Sequence, residues 1–446
     1  MQLKVLFIDF NSYFASVEQQ LNPALRGKPI AVVPVLTDST CAIAASYEAK
    51  AFGVKTGTNI GEAKQKCPGL ICVPARHDAY VHFHHKLIDE VDKHVPVMRV
   101  ESIDEMACEL YREYREEAKA IELSQRIKRG IARNVGQHLG SSIGLSTNRF
   151  LAKVASDLKK PHGITVIHPR DMPGKLSHLR MHDLPGIGKN MSQRLIAKDI
   201  FSIEQLYHAA PKQLRALWGS IEGERFWYAL HGEELAREES ERGMVTHSHV
   251  LGPEDRPLAR AENVGRRLLL KAASRMRALG YNATHLDLSV RVEFGDRLQG
   301  GLRFPPVNDS FALLKAFAQL WQQVLQDRPA RVKKVSLALH GLTSVDAPEQ
   351  LSLFPSTSPV GERSQEQRAT CEKLSRVLDA VTKRYGRHSL TLGLTEQDGQ
   401  SFTGTKIAFN RIPEREDFEQ WEATEKAMRD LEQDLLPVDE EQSAEP

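Results

Sequence analysis

Cysteine is scarce in this sequence and forms no recognisable pattern. Only five occur in 446 residues, Cys41, Cys67, Cys72, Cys108 and Cys371, with no CxxC, and the Cys67/Cys72 pair is followed by no second pair. That excludes a disulfide-scaffolded domain and a zinc-ribbon type of site, and reduced thiols in a cytoplasmic protein are expected. Long apolar runs are also missing, with none approaching the ~18–20 residues that span a bilayer. The opening MQLKVLFIDF has no basic stretch, apolar core and small-residue cleavage site in succession, so no signal peptide is expected. Internal repeats are absent. A hydrophobic content of 41% and a charged content of 26% exclude collagen, coiled-coil, mucin and wholly disordered classes. The length suggests about three domains with sizeable cores.

Net charge is nearly absent too, at +2, but its distribution is uneven. From 345 onward 12 basic residues stand against 21 acidic ones, so residues 1–344 carry +11; within them, 250–344 has 15 basic and 8 acidic residues. A basic body with an acidic tail is the asymmetry of a polyanion binder, although solvated surface charge would give the same numbers.

The hydrophobic pattern indicates an α/β or α+β core. LKVLFIDF is an apolar strand ending in an acid, and SYFASVEQQL is helical. PIAVVPV and CAIAAS read as strands, and EAKAFGV as a helix closed by Gly53. Residues 79–94 have helical spacing. VMRVESIDEMACEL is a candidate strand pair with acids in its middle, followed by a long polar helix over about 112–138, the strand SIGLS and the helix NRFLAKVASDLKK. From 169 to 235 short helices with turn signals take over, including LPGIG at 184–188. A linker is expected over 236–247. The next ~95 residues read strand, helix, strand, strand, helix, strand, the βαββαβ order of the split βαβ, ferredoxin-like arrangement. After 345 a Pro/Ser-rich linker leads to a modest helix at 372–385 and a strongly acidic end at 413–446.

Three acids stand out: Asp9 at a strand end, and Asp104 with Glu105 in the later segment. Crowded carboxylates repel, and a fold tolerates them chiefly around a cation. Two Mg²⁺ ions ~3.5–4 Å apart can activate an attacking hydroxyl and stabilise a leaving phosphate oxygen. Adjacent residues of a regular strand face opposite ways, so Asp104 and Glu105 share a site only if the strand kinks or Glu105 reaches around its edge. Taken alone, acids so far apart in sequence are more often unrelated surface groups. Phe14 alone reads as core, LPGIG alone is a weak signal, and the HFHH of 82–85 reads as a solvated or half-buried helix face.

Five stretches change this reading by occurring together and in order: IDFNSYFASVE (8–18), AASYEAKAFGVKTG (44–57), ESIDE (101–105), SIGLSTNRFLAKVASDLKKPHG (142–163) and LPGIGK (184–189). They resemble the Y-family of translesion DNA polymerases, the family that includes bacterial DNA polymerases IV and V, over about 1–344. The resemblance implies an α+β multidomain, right-hand polymerase. Its palm would comprise 1–19 and 77–168, fingers 20–76, a helix-hairpin-helix thumb 169–235, a ferredoxin-like little finger 248–344 and a clamp-binding, partly disordered tail 345–446. It also implies a DNA-directed DNA polymerase that adds dNTPs to a primer 3′-hydroxyl opposite damaged templates, with two Mg²⁺ ions.

By the same resemblance Asp9, Asp104, Glu105 and the carbonyl of Phe10 hold the metals. Phe14 packs under the sugar, where an aromatic edge offers neither an acceptor nor room for a 2′-hydroxyl. Tyr47, Lys50 and Lys160 grip the triphosphate. Lys50 stands where many relatives have Arg, keeping the charge without the bidentate fork. Ala44 lacks a hydroxyl that several relatives place there, and Asn11 leans towards the polymerase V side. Gly186, Gly188 and Lys189 would present amides and charge to a DNA phosphate. Further phosphate contacts would come from Arg266 and Arg267 on a helix that also carries Lys271, Arg275 and Arg277, and from Lys333 and Lys334. Gln350, Leu351, Ser352, Leu353 and Phe354 resemble the bacterial sliding-clamp peptide. The tail at 370–412 suggests a recombinase or accessory subunit as partner. The alternative is a non-catalytic clamp-binding adaptor; such members lose the metal acids, and all three stand here. A different nucleotidyl chemistry on a similar palm is disfavoured by the thumb and clamp motifs.

Overall fold

The computed structural model describes residues 2–235, 243–325, 331–347, 364–385, 390, 392–393, 412 and 426. The chain divides into two compact units, one of residues 1–237 with 405–446, the other of 238–404.

The first unit is built on β1 (Val5–Phe10), whose six residues are all buried. A continuous apolar run is what a central strand covered on both faces requires. It is followed by α1 (Tyr13–Leu21), β2 (Ile30–Val33), β3 (Ala44–Ala45), α2 (Tyr47–Ala51), α3 (Ile60–Lys66), β4 (Ile71–Pro74) and α4 (His77–Asp92). Then come β5 (Val97–Ser102), β6 (Glu105–Glu109), α5 (Glu117–Asn134), β7 (Ser141–Ser146), α6 (Arg149–Leu158) and β8 (Ile164–Val166). One sheet has the order β5-β6-β1-β7-β8, and β3-β2-β4 form a small second sheet. Leu6, Ile8 and Phe10 share a core with Tyr80, Phe83 and Leu87 of α4 and with Ile127 and Ile131 of α5. Val5 and Phe7 instead pack with Ala107 and Ala152, on the side of α6. That helix lies close on the sheet because residue 144 is glycine: a Cβ there would stand 1.9 Å from the carbonyl oxygen of Ala152.

Four short helices follow among the described residues of this unit: α7 (Lys189–Ile196), α8 (Ile203–His208), α9 (Pro211–Trp218) and α10 (Glu222–Leu230). Their core is continuous with Leu151, Val154 and Ala155 of α6. The side chain of Asn148 caps α6 by accepting from the Leu151 amide (2.8 Å), and its Nδ2 donates to the carbonyls of Ala229 and Glu233.

The second unit runs β9 (Met244–Val250), α11 (Leu258–Ala278), β10 (Tyr281–Val292), β11 (Arg297–Val307), α12 (Ser310–Leu325), β12 (Val332–His340), β13 (Thr343–Ser344) and α13 (Gln365–Tyr385). The expected βαββαβ order is present. Two details differ from expectation. β9 begins at Met244, inside the stretch expected as linker. The sheet order is β11-β10-β12-β9, so the first strand lies at an edge beside the last, not in the centre as in ferredoxin-like sheets. Element order alone does not say beside which strand a crossover lands. Every neighbouring pair is antiparallel, and Leu286, Leu288, Val290, Val335, Leu337 and Leu339 pack under α11 and α12. The expected tail helix is longer than 372–385 and docks on this unit: Arg277 pairs with Asp379 at 2.7 and 2.9 Å, and the Ser375 hydroxyl accepts from the Ser310 amide. All five cysteines are free. No helix among the described residues is long and apolar enough to cross a membrane.

Candidate active site

Strand alternation decides where Asp9 points. Leu6, Ile8 and Phe10 face α4 and α5, so Asp9, following Val5 and Phe7, falls on the α6 side; it is 5% exposed. Register places Glu105 beside it on β6 and Ser142 beside it on β7. Asp104 is not in a strand at all. It occupies the two-residue turn between β5 and β6, which is the kink that lets it accompany Glu105. Its carbonyl accepts from the Phe10 amide at 2.9 Å, and its carboxylate accepts from the Ser102 hydroxyl at 2.6 Å. The turn is also held from α4, where His84 Nδ1 donates to the carbonyl of Ile103 at 2.8 Å. His84 is only 1% exposed, deeper than the half-buried face expected of HFHH, and burial pushes its imidazole down to about 4, which keeps it neutral.

Two lysines balance the acids. Lys153 of α6 places its ammonium 2.6 Å from Asp9, 2.7 Å from Glu105 and 3.1 Å from Asp157. Lys160, just beyond α6, is 2.6 Å from the same Asp9 oxygen and 2.8 Å from Asp157. Burial alone would raise the Asp9 carboxyl, but Lys153 and Lys160 outweigh it and hold the group below its ordinary range. Burial dominates at Asp104 and Glu105, which lie above theirs despite the Ser102 hydrogen bond and Lys153 respectively. Both lysines are raised by the acids against the opposing effect of burial.

The three expected phosphate-binding groups are brought to the same place. Tyr47 and Lys50 lie on α2, capped by Ser46, and the Lys50 ammonium sits 4.4 Å from the Tyr47 ring centroid. It also donates to the Ser12 hydroxyl at 2.7 Å. Burial, then Lys160, lowers the Lys50 ammonium, while burial raises the Tyr47 phenol. Phe14, on α1, stacks on Tyr80 with centroids 4.2 Å apart and planes 12° from parallel. Asn11 accepts from the Ser142 hydroxyl at 2.9 Å. Sequence reasoning missed Ser12, Ser102, Lys153 and Asp157. Of these, Lys153 and Asp157 left a signal, the i,i+4 Lys/Asp spacing inside AKVASDLKK.

Among the described residues no three His, Cys, Asp or Glu side chains converge as a ready metal cage. Lys153 stands between Asp9 and Glu105, and Asp104 turns to Ser102. The donors are nonetheless oxygen only, three carboxylates and the Phe10 carbonyl, a set whose chemistry suits a hard divalent cation such as Mg²⁺. The Lys153 ammonium stands in for positive charge at that position.

Elsewhere the expected DNA-binding residues separate. Gly186 takes the left-handed conformation (φ +86°) that glycine adopts without strain, and Gly188 caps α7 ahead of Lys189. All three are exposed, while Leu184 and Ile187 anchor the turn. The element before it is a single 3-10 turn, Met181–Asp183, where a helix-hairpin-helix would have an α-helix. Arg266 and Arg267 are half-buried in the helix layer of the second unit, and Arg277 is occupied by Asp379. Lys334 instead lies on the opposite face of the sheet, level with Arg291 and Arg297, with the exposed Lys333 beside it. Arg291, Arg297 and Arg303 were not singled out from sequence. Gln350, Leu351, Ser352, Leu353 and Phe354 lie outside the described residues, as does most of the acidic end.

A five-stranded sheet with Asp9 buried at the end of its central strand, Glu105 beside it and Asp104 in the adjoining turn, and with Tyr47, Lys50 and Lys160 alongside, is the arrangement of a palm-type nucleotidyltransferase. Comparison with known proteins narrows this class. The impB/mucB/samB family matches residues 8–157, and its C-terminal domain matches 243–353. The chain is 29% identical over 420 residues to DNA polymerase IV 1 of Bacillus subtilis, covering 91% of this chain and 96% of that protein. It is 36% identical over 204 residues to DNA polymerase IV of Moorella thermoacetica, covering 45% and 50%. A solved Y-family DNA polymerase chimera superposes with a TM-score of 0.64 at 25% identity, covering 76% of this chain and 99% of the chimera. The chain belongs to the impB/mucB/samB family, the Y-family of translesion DNA polymerases. Its fold is the α+β multidomain fold of that family and its activity that of a DNA-directed DNA polymerase. The two relatives quoted carry the name DNA polymerase IV, not the polymerase V side towards which Asn11 leans.

Proposed function

We propose that this polymerase works by two-metal-ion catalysis at Asp9, Asp104, Glu105 and the Phe10 carbonyl, adding dNTPs to a primer 3′-hydroxyl opposite damaged templates. The observation that carries the reading is the pairing of Asp9 with Glu105 in register, with Asp104 in the adjoining turn. Magnesium bound there would lower the pKa of the primer hydroxyl and neutralise charge on the departing pyrophosphate. Lys153 then gives up its place between Asp9 and Glu105 and serves as a neighbouring counter-charge. Tyr47 and Lys50 hold triphosphate oxygens, and Lys160 exchanges its contact with Asp9 for one with phosphate. Phe14, backed by Tyr80, fills the space a 2′-hydroxyl would need.

In this reading the palm comprises 1–19 and 77–168, the fingers 20–76, the thumb 169–235 and the little finger 244–344. Primer-template DNA is held without regard to sequence by the exposed turn of Gly186, Gly188 and Lys189 and by the open sheet face bearing Lys334, Arg291, Arg297 and Arg303. Arg266 and Arg267, in the helix layer, support that sheet and reach phosphate only from its rim. The pentad Gln350–Phe354 recruits a bacterial sliding clamp, the tail binds a recombinase or accessory subunit, and the protein acts in the cytoplasm.

Primer extension with Mg²⁺ and dNTPs on intact and abasic templates tests the reading, beside Asp104→Ala. Extension by the wild type and its loss, by at least ~10³-fold, in the variant is expected. Equal activity of both proteins rejects the metal assignment. No extension by either, with clamp and partners added, leaves the non-catalytic adaptor.

A further inference from the structure

The turn joining β10 to β11 carries an aromatic ring that the polymerase reading leaves unused. Phe294, at its tip, is 96% exposed. The turn is anchored at its start: the Glu293 carboxylate accepts from Arg256 and, at 2.8 Å, from Arg331, while the Glu293 amide donates to the Arg331 carbonyl at 2.8 Å. These contacts anchor the backbone at the residue just before Phe294, and the ring stands out from it with its faces in water. Nearby, strand register sets Arg297 opposite Arg291 and Arg291 opposite Lys334. The three therefore form a row across β11, β10 and β12, and alternation with the buried Val290 and Val335 puts the row on the face away from α11 and α12.

A bare aromatic face next to a row of cations matches the two chemistries of a nucleic-acid strand. Bases stack on the ring, and phosphates neutralise the cations. Within a duplex both faces of a base are covered by its neighbours, so the ring is served by an unpaired base. We propose that Phe294 is a stacking platform for an unpaired base of single-stranded DNA whose phosphates lie along Arg291, Arg297 and Lys334. The inference rests on reading the open sheet face as a DNA contact, and adds to it a preference for single strands at this corner.

The test uses the full-length protein, a dye-labelled single-stranded oligothymidylate and a blunt duplex, with affinity followed by fluorescence anisotropy over a salt series. Phe294→Ala and Phe294→Leu are expected to weaken single-strand binding by about tenfold, as loss of one stacked base does. Duplex binding and the slope of log affinity against log salt stay unchanged, because no phosphate contact is lost. Phe294→Trp keeps the affinity, and its added fluorescence is quenched by the oligonucleotide beyond any change in the four native tryptophans. Wild-type affinity in Phe294→Ala, full rescue by Leu, or an equal loss on the duplex would each overturn the proposal. Arg291→Ala combined with Lys334→Ala separates the underlying reading: an unaltered salt slope rejects the sheet face as a DNA contact, whatever the Phe294 variants do.

Discussion

Asp9, Asp104 and Glu105 share one end of a sheet, yet they differ in what their ionisation costs the protein. Asp9 has two lysines within 2.6 Å, so its charge is stabilised and its carboxyl lies below the ordinary range. Asp104 accepts instead from the Ser102 hydroxyl; burial, with Asp9 nearby, outweighs that bond and lifts the carboxyl above its ordinary range. The signs follow from linkage. An acid lowered by folding contributes stability at neutral pH, which is lost as pH falls through its depressed value. An acid raised by folding costs stability while ionised, and the cost vanishes as pH falls through its elevated value. In the absence of divalent metal, Asp9→Asn is therefore expected to lower the melting temperature at pH 7.5 and Asp104→Asn to raise it. A change of about 1 kcal/mol either way corresponds to roughly 2–4 °C for a unit of this size. The Asp104→Asn advantage should shrink as the pH is lowered from neutrality towards ~4. Thermal melts over that pH series decide the matter, and shifts of the same sign for both variants would contradict the assigned charges. Under the proposed metal assignment both substitutions are expected to abolish extension, so stability and activity would pull apart at residue 104.

At the scale of elements, α6 organises the site. It brings Lys153 and Asp157 to one face, packs on β1 and β7 through Gly144, and shares its other side with the α7–α10 core. Its cap at Asn148 does double duty, accepting from Leu151 and donating to Ala229 and Glu233. Asn148→Ala removes the cap and strands two carbonyls, for an expected loss of about 2 kcal/mol. Asn148→Ser restores the cap acceptor alone and should fall between the two in a thermal melt; a Ser variant no better than Ala would show that the cap contributes nothing. Much of this was legible in the sequence, because β1, α1, β7 and α6 each announce themselves by an uninterrupted or helical apolar pattern, and Asp9 sits at the end of the clearest one. What was not legible depends on contacts between elements. That Asp104 occupies a turn follows from β5–β6 register and from His84 reaching across from α4. That Lys334, not Arg266 or Arg267, faces away from the helices follows from which face of the sheet α11 and α12 cover. The edge position of β9 and the docking of α13 through Arg277 and Asp379 likewise arise from pairings tens to a hundred residues apart, on which local periodicity is silent.

For the whole molecule the governing quantity is where the charge lies. Residues 1–344 carry +11, whereas 413–446 contain 13 acidic and 3 basic residues, so removing that last segment takes the net charge from +2 to +12. An acidic segment on the same chain as a phosphate-binding surface competes with DNA for its cations, and the competition is Coulombic. It is strong where the Debye length is ~14 Å, near 50 mM salt, and fades once the length falls below ~6 Å, near 0.3 M. A chain ending at Ile412 is therefore expected to bind non-specific duplex several-fold more tightly at 50 mM salt, with the two curves converging by about 0.3 M. Replacing the segment's Asp and Glu by Asn and Gln at unchanged length isolates charge from chain length and should reproduce the gain. Anisotropy titrations across the salt range read both variants. A gain in the shortened chain without one in the neutralised chain would assign the effect to the segment's bulk, and equal affinity of all three at 50 mM would remove the tail from DNA binding altogether.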